Sequence, residues 1–415
     1  MLYILPEDYP EFHCLAGECE DTCCAGWQIV VDDRSLKRYH TERGSYRKTL
    51  LRSVDWKKKS FRQDGEKRCA FLNDQNLCEM YCHLGPESLC RTCRMYPRHI
   101  EEFENVREIS LSVSCPEAAR MLICRKEPLR FREFSREGEE TYEEFDELLY
   151  SWLVECRSLM IRILQNRNLP LKLRLGLVSG LANDMQKRFL QGRLFSCQEL
   201  FERVESGVFG IADHWEEDEN GQTAGKKNHR GEETGQVADT DKKSEILTVT
   251  ERKMAAAKHS CFPWIRELFG ELQCFEFLKE DWPLWLEEVQ NRLYLPGAEN
   301  YARNEREFLE WLKQDSQDWQ IPFEQLMVYF LFSYFCGAVY DGEILASAQL
   351  GLVHCWLLRD MLMAVWLRNG KKLELEDLRA LVVRYSRELE HSDMNQRQME
   401  KLRIRKRLPW LREDC

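Results

Sequence analysis

In the stretch "TYEEFDELLYSWLVECRSLMIRILQNRN", the residues Tyr142, Phe145, Leu149, Trp152, Leu153, Cys156, Leu159, Met160 and Ile163 recur at helical spacing. Such a stripe is the core-facing side of an amphipathic helix. A second helical segment, "LKLRLGLVSGLANDMQKRFLQ", follows the break at Pro170. Farther on, "EQLMVYFLFSYFCGAVYDGEILASAQLGLVHCWLLRDMLMAVWL" holds two apolar runs. The first, Leu326 to Tyr340, falls short of the roughly 18 residues a bilayer span needs and closes at Asp341 and Gly342. Arg359 and Asp360 interrupt the second. Both read as buried core helices. No strand-dominated region and no internal repeat stand out.

Two other stretches lack this periodicity. "DHWEEDENGQTAGKKNHRGEETGQVADTDKKSE", from Asp213 to Glu245, is dense in charge, Gly and Asn and almost free of large apolar residues. Such a composition does not offset the entropy of ordering, so it is expected to be a disordered insertion or linker. The first 125 residues are cysteine-rich and turn-rich, as in a module organised around a bound ion or cluster. The pattern predicts a mainly α fold in which an irregular Cys-rich metal or cluster module precedes a helical region. The expected units are residues 1–125 (the Cys-rich module), 126–212 (helical), 213–246 (insertion or linker) and 247–415 (C-terminal helical region).

Composition sharpens the picture in one respect. With 415 residues and 43% apolar content, the chain can bury an ample core without staples. Yet 11 of its 18 cysteines fall in the first 124 residues, at Cys14, Cys19, Cys23, Cys24, Cys69, Cys78, Cys82, Cys90, Cys93, Cys115 and Cys124. The opening "MLYILPEDYPEF" has neither a basic nor an apolar signal region, so a reducing, cytoplasmic setting is expected. There a cysteine cluster points to a metal or cofactor before a disulfide framework. The net charge of −11, from 60 basic and 71 acidic residues, disfavours a general nucleic-acid binder. The terminal "RQMEKLRIRKRLPWLRED" mixes Arg and Lys with Leu402, Ile404, Leu408, Trp410 and Leu411. It reads as a solvated terminal helix, with peripheral contact to an anionic membrane surface as the alternative.

The spacings are C-x4-C-x3-C-C in the first block and C-x8-C-x3-C-x7-C-x2-C in the second, with Cys115 beyond. Thiolates are soft ligands, and four of them complete a tetrahedral zinc site or hold an iron–sulfur cluster. Spacing leaves structural zinc, iron–sulfur and metal-free buried thiols all open. His13, His83 and His99 lie near the blocks but carry no ligand spacing.

The blocks "FHCLAGECEDTCCAGW", "CAFLNDQNLC", "LCRTCRMYPR" and "REISLSVSCPEAARMLI" together resemble the flagellin lysine-N-methylase family, whose N-terminal part belongs to a wider group of zinc- or iron-chelating Cys-rich domains. The resemblance implies methyl transfer from S-adenosylmethionine to lysine side chains of flagellin, and it implies a [4Fe–4S] cluster over zinc. Carried onto this chain, its motif positions are Cys14, Cys19, Cys23, Cys24, Cys69, Cys78, Cys93 and Cys115. The implied ligands are Cys19, Cys23, Cys78 and Cys93, with Cys24 and Cys69 next, while Cys82 and Cys90 fall outside the pattern.

Lysine, with a reference pKa of about 10.4, must lose a proton before its nitrogen can attack a methyl group. A polar transfer therefore needs a desolvating pocket with a carboxylate or tyrosine, and no spacing selects one. The chain has no G-x-G turn of the dinucleotide-binding type and no C-x3-C-x2-C motif. Arg98 and Glu108 are read either as supports of the cluster or cofactor or as a surface pair. A non-enzymatic zinc- or iron-binding interaction module is the alternative class.

Overall fold

The segment "LYILP" extends as strand β1 (Leu2–Pro6) in a computed structural model that describes residues 1–209, 238–256, 258–390, 392–405 and 408–411. Two short strands, β2 (Val54–Asp55) and β3 (Ser60–Phe61), form an antiparallel ribbon. A hairpin of β4 (Arg98–Phe103) and β5 (Val106–Leu111) then joins β1 and β6 (Phe131–Ser135) in a sheet of order β4-β5-β1-β6. β1 runs parallel to β5 and antiparallel to β6, placing Ile4 opposite both Glu108 and Glu133. This sheet departs from the expectation of no strand-rich region. Its strands are short, and buried Arg107, Glu108 and Ser110 blur the apolar alternation in β5.

The rest is mainly α, as the periodicity predicts. The Cys-rich part holds α1 (Asp33–Thr41), α2 (Arg47–Ser53), α3 (Glu79–Leu84) and α4 (Arg91–Met95). Asp32 fastens two of these: its carboxylate accepts from Ser35 N at the start of α1 (2.9 Å) and from Arg91 N at the start of α4 (2.8 Å). After α5 (Pro116–Ile123) come α6 (Glu147–Gln165), α7 (Leu171–Leu190), α8 (Cys197–Phe209), α9 (Ala238–Ala256) and α10 (Lys258–Glu271). The series continues with α11 (Trp282–Val289), α12 (Ala298–Gln314), α13 (Gln320–Tyr334) and α14 (Ala338–Asp341). It closes with α15 (Ile344–Arg368), α16 (Leu375–Glu390) and α17 (Asp393–Arg405).

Two apolar cores result, and they divide the chain elsewhere than at residue 125. A small one gathers Ile29, Val31, Tyr39, Leu50, Val54, Phe61, Phe71 and Met80 with Cys69 and Cys90. The large one joins the helices to Phe103, Val113, Leu122, Ile123 and Leu129, so the sheet and α5 belong to the helical core. At its centre α15 packs against α7, α13, α16 and α17. By length and composition α15 could span a bilayer, yet 78% of its most apolar window is buried within the fold. Both apolar runs are thus the core helices expected. Of the expected linker 213–246, residues up to 237 lie outside the described residues, and α9 begins at Ala238. In the basic C-terminal segment, Leu402 and Leu408 are buried in the core, which uses two of the apolar side chains that a membrane contact would need.

Candidate functional site

The cysteine blocks fold as loops braced by isolated bridges. Ala25 pairs with Arg68 and Leu72 with Cys78, while Cys69 N donates to Cys24 O at 2.8 Å. This lays the first block beside the second. Two thiol pairs are hydrogen-bonded there, Cys23 donating to Cys24 and Cys93 to Cys90. The Cys23 bond, helped by the Thr22 hydroxyl and the charge of Arg68, outweighs burial and brings Cys24 down to about 7. The Cys93 bond likewise lowers Cys90, whereas donation and burial together push Cys23 and Cys93 up. Burial raises Cys69 to about 12 and Cys78 to about 11.

Of the six expected ligands, Cys23, Cys24, Cys69, Cys78 and Cys93 share one neighbourhood: Cys24 is felt electrostatically by Cys23, Cys69, Cys78 and Cys93. Cys19 has Cys14 and Cys115 as thiol neighbours, and Cys14 is felt by Cys23 as well, which links the two groups. Cys90, outside the sequence pattern, is fully buried and hydrogen-bonded to Cys93, so it belongs with the gathered thiols, while Cys82 is exposed. Among the described residues no three His, Cys, Asp or Glu side chains converge as a single metal ion requires. The donor chemistry, with two thiols held toward the thiolate, suits a soft metal or an iron–sulfur cluster. The sulfurs do not close on one ion.

The thiol loop is gripped from the far end of the chain. Arg387, on α16 and 2% exposed, pairs with Asp21 through Nη1 at 2.6 Å and donates through Nη2 to the Asp21 carbonyl and through Nε to Ser114 O at 2.9 Å. Its guanidinium lies 4.8 Å from the Trp27 ring centre, a cation–π contact. Arg387 also opposes the upward pull of burial on Cys19 and Cys23. Lys279 reaches Asp21 at 3.2 Å, and Arg379 reaches Glu20 at 2.5 Å. Three cations of the C-terminal region thus hold the two acids between Cys19 and Cys23.

A polar path continues inward from this grip. The Tyr96 hydroxyl bonds Ser114 Oγ (3.1 Å), Ser114 Oγ bonds Ser112 Oγ (2.8 Å), and Ser112 Oγ donates to Glu390 Oε2 (3.3 Å). The same oxygen accepts from Tyr329 and Tyr334, each at 3.2 Å. Beside them the His99 ring lies 5.3 Å from that of Tyr334, and its Nε2 is 2.6 Å from Glu101. Burial raises the Glu390 carboxyl, against hydrogen bonds from Ser386, Tyr334 and Tyr329 and the charge of His99. For His99, burial pulls downward, but the Glu101 bond and charge and the charge of Glu390 prevail and raise it.

No spacing in the sequence marks Arg387, Glu390, Tyr329 or Tyr334. A fainter signal lay in "SLSVS", where Ser110, Ser112 and Ser114 alternate and all three are buried. Arg98 and Glu108 do not pair. Glu108 is buried against Arg157 of α6, and Arg98 Nε donates to the Tyr9 hydroxyl at 2.7 Å.

Comparison with known proteins gives the following. The FliB lysine N-methylase C-terminal domain matches residues 157–408. Flagellar biosynthetic protein FliU of Salmonella muenchen is 29% identical over 126 residues, covering 28% of this chain and 75% of that protein. Proteins named lysine-N-methylase from Salmonella typhimurium and Salmonella choleraesuis are each 29% identical over 126 residues. That stretch spans 31% of their length and 28% of this chain. No solved structure matches the chain significantly.

Proposed function

The chain belongs to the FliB lysine N-methylase C-terminal domain family, and from that premise we propose that it transfers methyl groups from S-adenosylmethionine to lysine side chains of flagellin, with an iron–sulfur cluster held by its N-terminal thiols. The flagellin substrate rests on the flagellar and lysine-N-methylase names of the relatives. The observation that carries the reading is the junction itself. Residues inside the matched region, Lys279, Arg379 and Arg387, hold the thiol loop, and Arg387 and Glu390 stand one turn apart on α16.

Cys23, Cys24, Cys69, Cys78, Cys90 and Cys93 are the thiols from which a cluster's ligands would come. Bound there, a cluster supplies redox chemistry or rigid cross-linking of the two blocks. The chain's own part is to bury and orient. Arg387 fixes the loop carrying Cys19 and Cys23, and the Ser112–Ser114 path ties that loop's neighbourhood to a carboxylate flanked by two phenols. S-adenosylmethionine supplies the electrophilic methyl group.

The test is anaerobic purification with iron and acid-labile sulfide analysis, followed by incubation with flagellin and methyl-labelled S-adenosylmethionine. Cofactor-dependent label in flagellin lysines supports the reading. A metal-loaded protein that transfers none is the non-enzymatic binding module instead.

A further inference from the structure

Ionised carboxylates withdrawn from water are costly without a cationic or hydrogen-bonding partner. Among the described residues four buried acids have an arginine: Glu108 has Arg157, Glu117 has Arg120, Glu324 has Arg167 and Arg174, and Asp360 has Arg359, while buried Glu104 and Glu388 accept from backbone N–H groups. Glu390 differs. Three hydroxyls, from Tyr329, Tyr334 and Ser112, meet its Oε2 at 3.2–3.3 Å. Among the described residues no Lys or Arg pairs with it.

The groups facing it come from each element around it. On α13 stand Tyr329 and Tyr334, with Phe330 packed against both. β4 supplies His99 and Glu101, and Ser112 follows β5. On its own helix are Ser386 and Arg387, the latter engaged with Asp21 and Ser114. From α17 the Gln396 amide donates to the Glu390 carbonyl at 2.6 Å. Tyr329 closes the inner side, 4% exposed, whereas Tyr334, His99, Glu101 and Glu390 are half-buried and bring the cluster to the surface. A cavity of about 40 Å³ bordered by Ser110, Leu122, Tyr329 and Phe332 lies on another side of Tyr329, apart from Glu390, Tyr334 and His99. Two carboxylates, two phenols and one imidazole therefore form a half-buried cluster in which His99 is the cationic neighbour of the central acid and no lysine or arginine pairs with it among the described residues. An alkylammonium would complete that set: charge to Glu390 and the apolar stem along the rings.

We propose that Glu390, framed by Tyr329 and Tyr334, is the group that receives the substrate lysine, its carboxylate binding the ε-ammonium and taking its proton. This deepens the lysine-methylase reading and rests on it for the identity of the reaction. The carboxylate accepts one proton, leaving a neutral amine. The nitrogen lone pair then forms the N–C bond to the methyl carbon as the C–S bond of the sulfonium breaks, its electron pair remaining on sulfur. The proton held by Glu390 leaves to water at the half-buried side, past His99.

The experiment uses the full chain purified anaerobically, with E390Q, E390D and Y334F beside the wild type. For E390Q the initial rate of methyl incorporation is expected to fall at least ~100-fold, the scale of a lost general base, with iron and sulfide content unchanged. E390D should recover part of that rate and shift the pH profile of kcat. An E390Q rate within about threefold of wild type overturns the proposal, since a base is worth far more than that. Should E390Q not fold, Y334F decides: a clear loss of rate supports the site, and a wild-type rate overturns it.

If the wild type transfers no methyl group, the methylase reading fails and binding judges the site separately. The probes are Nα-acetyl-lysine amide and its Nε-acetylated twin, which lacks the charge. Binding of the first alone, weakened at least ~10-fold (~1.4 kcal/mol) in E390Q, supports a lysine-receiving carboxylate. Equal binding by E390Q, or no binding by the wild type, overturns it.

Discussion

Arg387 shows how much one side chain can determine. It is buried, it touches Asp21, Ser114 and Trp27, and those three contacts join the thiol loop, the strand end before α5, and α16. Replacing it with methionine keeps the bulk but leaves Asp21, about a quarter exposed, with Lys279 as its remaining cation. We expect R387M to lose ~2–4 kcal/mol in denaturant unfolding, toward the low end of a broken buried pair because Asp21 reaches solvent. R387K should restore part of it, although lysine cannot reproduce the forked contacts. A loss below ~0.5 kcal/mol would mean that the loop holds its own shape.

His99 gives a residue-scale pH prediction. Its folded-state value lies above the ordinary one because Glu101 and Glu390 outweigh burial. The stabilisation is then fully present below about pH 6.5 and is lost as pH rises through the folded value. The wild type should therefore fall in Tm between mildly acidic and mildly alkaline pH more than H99Q does. Identical profiles for the two proteins would remove His99 from the account.

At the scale of elements, the sheet is tied to the helices by polar contacts as well as by packing. Glu108 of β5 and Arg157 of α6 form a buried pair, and Ser110 and Ser333 bond at 2.9 Å between β5 and α13. R157M strands a carboxylate in the core and should cost ~3–5 kcal/mol. Removing both charges, as R157M with E108Q, should recover part of that loss, measured as a coupling in a double-mutant cycle. Additive losses would show that the pair is not a unit.

These elements also show what the sequence made legible. The stripe from Leu149 to Ile163 marked α6, and the apolar runs marked α13 and α15, because long helices repeat their signal over many turns. The sheet stayed hidden because β1, β4 and β5 are five or six residues long, and β4 reads "RHIEEF". The thiol blocks were visible as spacing, yet spacing does not report that Cys19 sits with Cys14 and Cys115 while Cys90 pairs with Cys93. Glu390 was not legible at all. It meets Ser112 across 278 residues, and only the packing of α16 beside α5 brings them together.

For the whole molecule, the small thiol core and the large helical core meet at the Asp21–Arg387 junction. Phe103, Val113 and Leu122 lie before residue 125 but pack in the large core. Residues 1–125 expressed alone should therefore expose an apolar face and aggregate. The full chain should remain dispersed under the same conditions, as light scattering would show. A soluble, cooperatively unfolding 1–125 fragment would mean that the thiol module is independent.

The central claim, that this junction is a lysine-methylating centre, is tested most directly by mass spectrometry of flagellin incubated with the anaerobically purified, iron-loaded chain and S-adenosylmethionine. The account predicts methylated lysines in the wild-type reaction and at least ~100-fold slower methylation with E390Q. Unmodified flagellin from a fully iron-loaded, folded wild-type protein would contradict it.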